Sequence, residues 1–373
     1  MSATMTALRK RDDTTRVGEW AIHAGLLAVS ILAALGLAGL LLETTGHDAL
    51  EAYRSMWEGS LGSSSSIAAT LNHAGPILLV AVGACVAMRA GLINLGTEGQ
   101  VLVGALAATA VAVKLDLPTG LMLPAVLVAG ALGGAAWAGI ASLLRFGRGV
   151  SEVLTTLLMN FVAIQLISWM VNRTYLLQAG AETGAAASNR LPQSESIPAG
   201  AQLAPAVEGD GFAIQPVIVI ALVIALVVAW LMRSTTWGLR LKMTSGNPRT
   251  AVRFGSSIAM IGGCALAVSG ALAGLAGAAF LSSDAHRLTP GLSNSYGWDG
   301  FLVALIAGPR PLVAVPVALL YGGVRAGGGW MASIGVSGAI VGIVQALLVL
   351  AVLLPSLVVR HRARQRVLSD RAR

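Results

Sequence analysis

Arg89-Ala90-Gly91-Leu92-Ile93-Asn94-Leu95-Gly96-Thr97-Glu98-Gly99-Gln100 lies between two apolar runs, residues 67–88 and 101–113. It combines side-chain amides, a carboxylate and three glycines. Irregular polar backbone is not tolerated against lipid, so such a stretch between two membrane-grade runs either lines a cavity or turns at the cytoplasmic face. The rest of the sequence bears on which.

Of 373 residues, 55% are hydrophobic and 11% are charged, with a mean hydropathy of +0.77. Soluble domains carry about 25% charged residues, so the composition predicts an all-α membrane protein with several spans. The N-terminus does not read as a signal peptide, because the run 21–42 is long enough to span and no clean cleavage pattern follows. The net charge of +8 is confined to short segments that alternate with acidic or neutral ones. That is the positive-inside pattern and not a nucleic-acid surface. Cys85 and Cys264 sit inside apolar runs, and the five histidines have no ligand spacing, so no metal site is expected.

Ten spans are expected: 21–42, 67–88, the opening stretch continued to 113, 121–144, 152–171, 212–232, 258–281, 296–307, 312–324 and 334–359. Residues 1–20 and the basic tail 360–373 flank a transmembrane domain at 21–359, and both ends fall on the cytoplasmic side. Outside, a short surface helix near 49–57 is expected to end in the flexible run Gly62 to Ser66. Asn72, His73, Gly75 and Pro76 should weaken the second span, and 172–211 should be a loosely structured external loop. Residues 325–329 read as a turn. The segments 296–307 and 312–324 are shorter than a full span and look like discontinuous helices.

Several residues could carry function. With a helix starting near Ala90, Glu98 lies roughly 12 Å along it at about 1.5 Å per residue, and an intramembrane carboxylate is a functional candidate. It could equally brace glycine-rich backbone together with Asn94 or Arg89. Glu152, Thr155, Thr156 and Asn160 share one helix face, suited to a polar path or to helix–helix hydrogen bonding; Gln165 is offset from it. Trp298 and Asp299 could stack on and hydrogen-bond a ring-bearing solute, or Trp298 could be an interfacial belt residue. The GxxxG pairs Gly130/Gly134, Gly270/Gly274 and Gly338/Gly342 read as close-packing devices.

Residues 233–257 carry five basic and no acidic side chains, which marks a cytoplasmic loop. Within it, Asn247 as N-cap and Pro248 at the first helical position predict a short helix. Exposed Val252 and Phe254 on that helix call for a docking partner, with attachment to headgroups as the alternative. Only three lysines occur, Lys10, Lys114 and Lys242, and none follows a glycine, so there is no phosphate-binding P-loop. An ion-coupled transporter using Glu98 or Glu152 is the alternative to an ATP-driven one.

Four segments resemble the permease subunits of bacterial ABC importers of the branched-chain amino acid, ribose and nucleoside superfamily. Gly91 to Gln100 resembles the N-[IL]-G-x-E-G-Q signature, and Ser151 to Asn160 is similar to N-E-V-[IV]-x-T-[IL]-M-L-N of the nucleoside branch. Trp237-Gly238-Leu239-Arg240 through Gly255 resembles the coupling region, and Gly297-Trp298-Asp299-Gly300 with Val303-Ala304-Leu305 resembles G-[FY]-[DT]-G-I-A-V-A-L. The chain departs from the pattern at Val252 and at Gly308-Pro309-Arg310-Pro311. The resemblance implies a permease that does no bond chemistry and pairs with a second, usually non-identical, permease subunit in the bacterial inner membrane. Two ATPases that bind ATP and Mg, and an external solute-binding lipoprotein, would complete it. It implies a nucleoside, ribose-type or simple-sugar solute, and Asn94, Glu98, Gln100, Asn160, Trp298 and Asp299 are the candidates to line or brace its pathway. Asn247, Arg249, Val252, Arg253 and Phe254 would couple it to the ATPase.

Overall fold

A computed structural model describes residues 25–173, 176–179 and 192–352. The flanking segments 1–20 and 360–373 lie outside the described residues, as do 21–24 of the first expected span and 353–359 of the last. Two compact units emerge, one of residues 64–323 and one from the described parts of 1–63 and 324–373. Among the described residues, seven helices are long and apolar enough to cross a membrane.

In the smaller unit, α1 (Gly25–Thr44) is followed by α2 (Ala49–Leu61), whose N-cap Asp48 accepts from the N–H groups of Leu50 and Glu51 at 2.7 and 3.0 Å. Ala38, Leu42, Ala52, Met331, Val336, Val341 and Val344 form its core.

The larger unit is built around α3 (Ser64–Arg89), in which Ile77 to Val82 are entirely enclosed. Around it come α4 (Thr97–Lys114), α5 (Thr119–Arg148), α6 (Glu152–Val171) and a small antiparallel hairpin of β1 (Val207–Gly209) and β2 (Phe212–Ile214). Then follow α7 (Val217–Ser234), α8 (Thr236–Gly246), α9 (Pro248–Arg253), α10 (Ile258–Phe280) and a wide π-type turn at Leu281–Ala285. The chain continues through α11 (Tyr296–Ala307), α12 (Pro311–Ser333) and α13 (Gly338–Val352).

Glycine decides the packing of α4, α5 and α10. A Cβ on Gly104 would overlap the backbone of Gly274, and one on Gly134 would overlap the carbonyl of Gly270. Apolar surface has no drive to leave lipid, so close backbone approach supplies the attraction between membrane helices. The expected pairs Gly130/Gly134 and Gly270/Gly274 thus pack against each other. Gly338 and Gly342 do not: nothing lies within 4 Å of a Cβ at either. The outward faces stay apolar, with Leu132 on α5, Phe161 on α6 and Leu226 on α7 each 60% or more exposed, as a lipid-facing or partner-facing surface requires.

Five local expectations are corrected. The segment 312–324 is not a short discontinuous helix but part of α12, which runs 23 residues and is long enough to cross a membrane. Ser64 to Ser66 are not a flexible run but the first turn of α3. The Asn72–Pro76 cluster does not interrupt α3; Gly75 admits the backbone of Val217 and Ile218, and Asn72 clamps the chain beyond the hairpin. Its amide donates to Ala213 O and accepts from Gln215 N, both at 2.8 Å. Residues 325–329 are helical within α12, because Gly327 and Gly328 make room for Met56, Ser60 and Gln345; the turn comes at Gly335, with φ of +95°. The described parts of 172–211 are ordered: Ser194 N and Ile197 N donate to Leu288 O and His286 O at 2.8 and 3.0 Å.

Candidate functional site

The helix after the opening stretch starts at Thr97, not near Ala90. Gly91, at φ +81°, turns the chain out of α3, and Leu92 to Gly96 are non-helical. Glu98 therefore lies in the first turn of α4, where the helix dipole favours a negative charge. α11 is only 12 residues, roughly 18 Å at about 1.5 Å per residue, well short of the roughly 30 Å hydrocarbon core.

The N-termini of α4 and α11 meet. Ser295, the N-cap of α11, makes no side-chain cap bond. The cap is supplied by Glu98, whose Oε2 accepts from Gly297 N at 2.9 Å and whose Oε1 accepts from the Ser293 hydroxyl. Thr97 Oγ1 donates to Gly297 O at 2.9 Å, and a Cβ on Gly297 would overlap the Glu98 backbone. One carboxylate so takes up a backbone N–H in the first turn of a neighbouring helix, together with a hydroxyl from the loop before it.

Asn94, Gln100 and Asn160 serve the same interruption. Asn94 Oδ1 accepts from Gly96 N at 3.1 Å and Gln100 Nε2 at 3.0 Å, while its Nδ2 donates to Gln100 Oε1 at 2.8 Å and Ser269 Oγ at 2.9 Å. Asn160 Oδ1 accepts from Gly99 N and its Nδ2 donates to Leu95 O, each at 2.8 Å. Thr156 Oγ1 accepts from Leu95 N at 3.1 Å and donates to Glu152 O at 2.7 Å. Thus the polar face of α6 satisfies backbone that a helix would have satisfied itself. All four of Asn94, Glu98, Gln100 and Asn160 are buried, so lining a path from them requires this network to open.

Trp298 and Asp299 stand half-buried in the first turn of α11, beside the junction. Glu152, on the same helix face as Thr156, is engaged elsewhere: its Oε2 pairs with Arg145 Nε at 3.0 Å. Ser269, Ser293, Tyr296 and His73 also belong to the neighbourhood, with His73 Nδ1 2.6 Å from the Tyr296 hydroxyl. No local spacing in the sequence pointed to them, since each lies far along the chain from its partner.

At the far end of α7, Thr235 caps α8, and Asn247 caps α9 by accepting from Thr250 N at 3.2 Å. Ala251 is buried beneath α9, while Arg249, Val252, Arg253 and Phe254 face outward, Phe254 75% exposed. The end of α8 touches the interruption directly, for a Cβ on Gly91 would come within 3.2 Å of Ser245.

Apolar helices of spanning length around an interrupted segment, with the starts of α4 and α11 joined by a buried carboxylate, mark a multi-pass membrane protein. Residues 66–353 match the family described as the permease component of the branched-chain amino acid transport system. The chain is 32% identical to the glucose ABC transporter permease protein of Haloferax volcanii over 94% of this chain and 92% of that one. It is 29% identical to a guanosine ABC transporter permease protein of Bacillus subtilis (88% and 93% covered) and 28% identical to a nucleoside ABC transporter permease protein of Lactococcus lactis (86% and 88%). The chain belongs to this permease family: it is the membrane permease component of an ABC transport system and not an enzyme.

Proposed function

We propose that this permease carries a nucleoside, or a related ribose-type or simple-sugar solute, inward between itself and a second, non-identical permease subunit. The solute class is supported by similarity to permeases named for guanosine, nucleoside and glucose. Ten crossing segments with both termini cytoplasmic place α8 and α9 inside and the loop before α7 outside, facing a solute-binding lipoprotein in the bacterial inner membrane. ATP and Mg belong to separate ATPase subunits.

The observation that carries the coupling role is the tip of α9, which offers Phe254 and Val252 with Arg249 and Arg253 and is covered by nothing else among the described residues. ATPase closure acts there, and the Ser245–Gly91 contact passes the motion to the α4–α11 junction. Trp298 and Asp299 face the path, and Asn94, Glu98, Gln100 and Asn160 hold its wall.

Uptake of labelled guanosine and glucose by cells carrying the whole transporter tests the solute class. Arg249→Ala or Phe254→Ala should abolish uptake with the permease still in the membrane. Normal uptake in both variants removes the coupling role.

A further inference from the structure

A cavity of about 550 Å³ opens where the last residue of α3, the last turn of α7, α8 and the start of α12 come together. Four of its lining side chains are cations: Arg89, Arg233, Lys242 and Arg310. None is acidic, so nothing in the wall neutralises them. The Nε of Arg89 is buried and has no hydrogen-bond partner among the described residues. A buried guanidinium nitrogen without an acceptor, in a wall of like charges, is the complement of an anion that the described residues do not provide.

We infer that this cavity binds the phosphate of an anionic phospholipid headgroup. Its remaining walls are apolar and continue onto faces turned outward from the bundle. Leu312 and Val313 at the rim are 52% and 41% exposed, and Trp230, one turn before Arg233, is 61% exposed. A glycerophosphate among the cations would leave its acyl chains along these residues, at the depth where Trp and Arg ordinarily anchor a membrane helix. Basic pockets between membrane helices are known to take anionic headgroups. An acidic segment of the ATPase is the competing occupant. The geometry favours lipid, because no residue of the docking helix α9 lines the cavity. The inference rests on the chain's embedding in a membrane and not on its solute, so failure of guanosine or glucose uptake leaves it standing.

The test is native mass spectrometry of the delipidated transporter complex in detergent, titrated with dioleoyl-phosphatidylglycerol, dioleoyl-phosphatidylcholine or inorganic phosphate. Phosphatidylglycerol should bind about tenfold or more tightly than phosphatidylcholine. The pair Arg89→Gln with Arg310→Gln should erase that preference, while Arg148→Gln, at the exposed end of α5, should keep it. Should the Gln pair fail to fold, raising salt from about 50 to about 300 mM must weaken phosphatidylglycerol binding severalfold and leave phosphatidylcholine unaffected. The inference is overturned by equal affinity for the two lipids, by a preference that survives the Gln pair, or by a flat salt response. It is likewise overturned if equimolar inorganic phosphate displaces the lipid, which identifies free phosphate as the ligand, or if lipid binds only after the ATPase is removed.

Discussion

The carboxylate of Glu98 accepts the backbone N–H of Gly297 at 2.9 Å, across 199 residues of chain. That bond fixes the start of α11 upon the start of α4, and Gly297 is the residue that lets the two backbones come this close. Overpacking a tight contact costs about 1–3 kcal/mol, so Gly297→Ala should lower the unfolding midpoint of the purified permease and reduce transport. Gly246→Ala, with open space around its Cβ, serves as the matched control. Equal midpoints for the two variants would show that the helices do not touch there.

Glu98 offers a second discrimination. As a cap it needs acceptor oxygens, and Gln keeps one of them. Glu98→Gln should therefore retain more stability and more ATP-driven uptake than Glu98→Ala, which leaves the Gly297 N–H and Ser293 hydroxyl without their acceptor, at a cost of about 1–3 kcal/mol per buried group. If Gln is as damaging as Ala, the negative charge itself is required, and a capping role does not account for it.

Asn160→Ala removes the partner of the buried Gly99 N–H and of the half-buried Leu95 C=O. A loss of about 1–3 kcal/mol follows from leaving the buried Gly99 N–H unsatisfied. Asn160→Leu, which adds bulk at the same place, should be no better. A denaturation series showing near-native stability for Asn160→Ala would mean that water or a rearranged loop replaces the amide.

The α5–α10 contact makes a prediction with an internal contrast. Gly134→Leu or Gly274→Leu should block stable accumulation in the membrane, since each faces backbone atoms of the opposite helix. Gly338→Leu and Gly342→Leu, in open space, should accumulate normally when membrane fractions are blotted. The same GxxxG spacing thus has opposite outcomes.

That contrast marks where the sequence was readable. Long apolar runs and N-cap chemistry pointed to the seven helices of spanning length and to the α9 cap, because hydropathy and capping are local. The short α11 was also visible as a run too brief to cross. Whether Gly338 or Gly134 packs was not visible, because the partner lies on another helix. For the same reason Arg325 to Gly329 read as a turn: glycines that admit a neighbouring helix look, in sequence, like glycines that break one. Asn94, Glu98 and Asn160 were recognisable as special, but their bonding to backbone rather than to an open path depended on where α4 begins, a matter of a few residues at Gly96 and Thr97.

The glycine contacts among α4, α5 and α10 have a mechanical consequence. Gradual sliding between helices relies on side chains that can change rotamer as they pass one another. At Gly104, Gly134 and Gly274 backbone meets backbone, and at Gly270 the neighbours are the Gly134 backbone and the Ala138 methyl, which has no rotamer to change. These three helices are consequently expected to move as one block, and the same close approach ties α11 to α4 at Gly297 and α7 to α3 at Gly75.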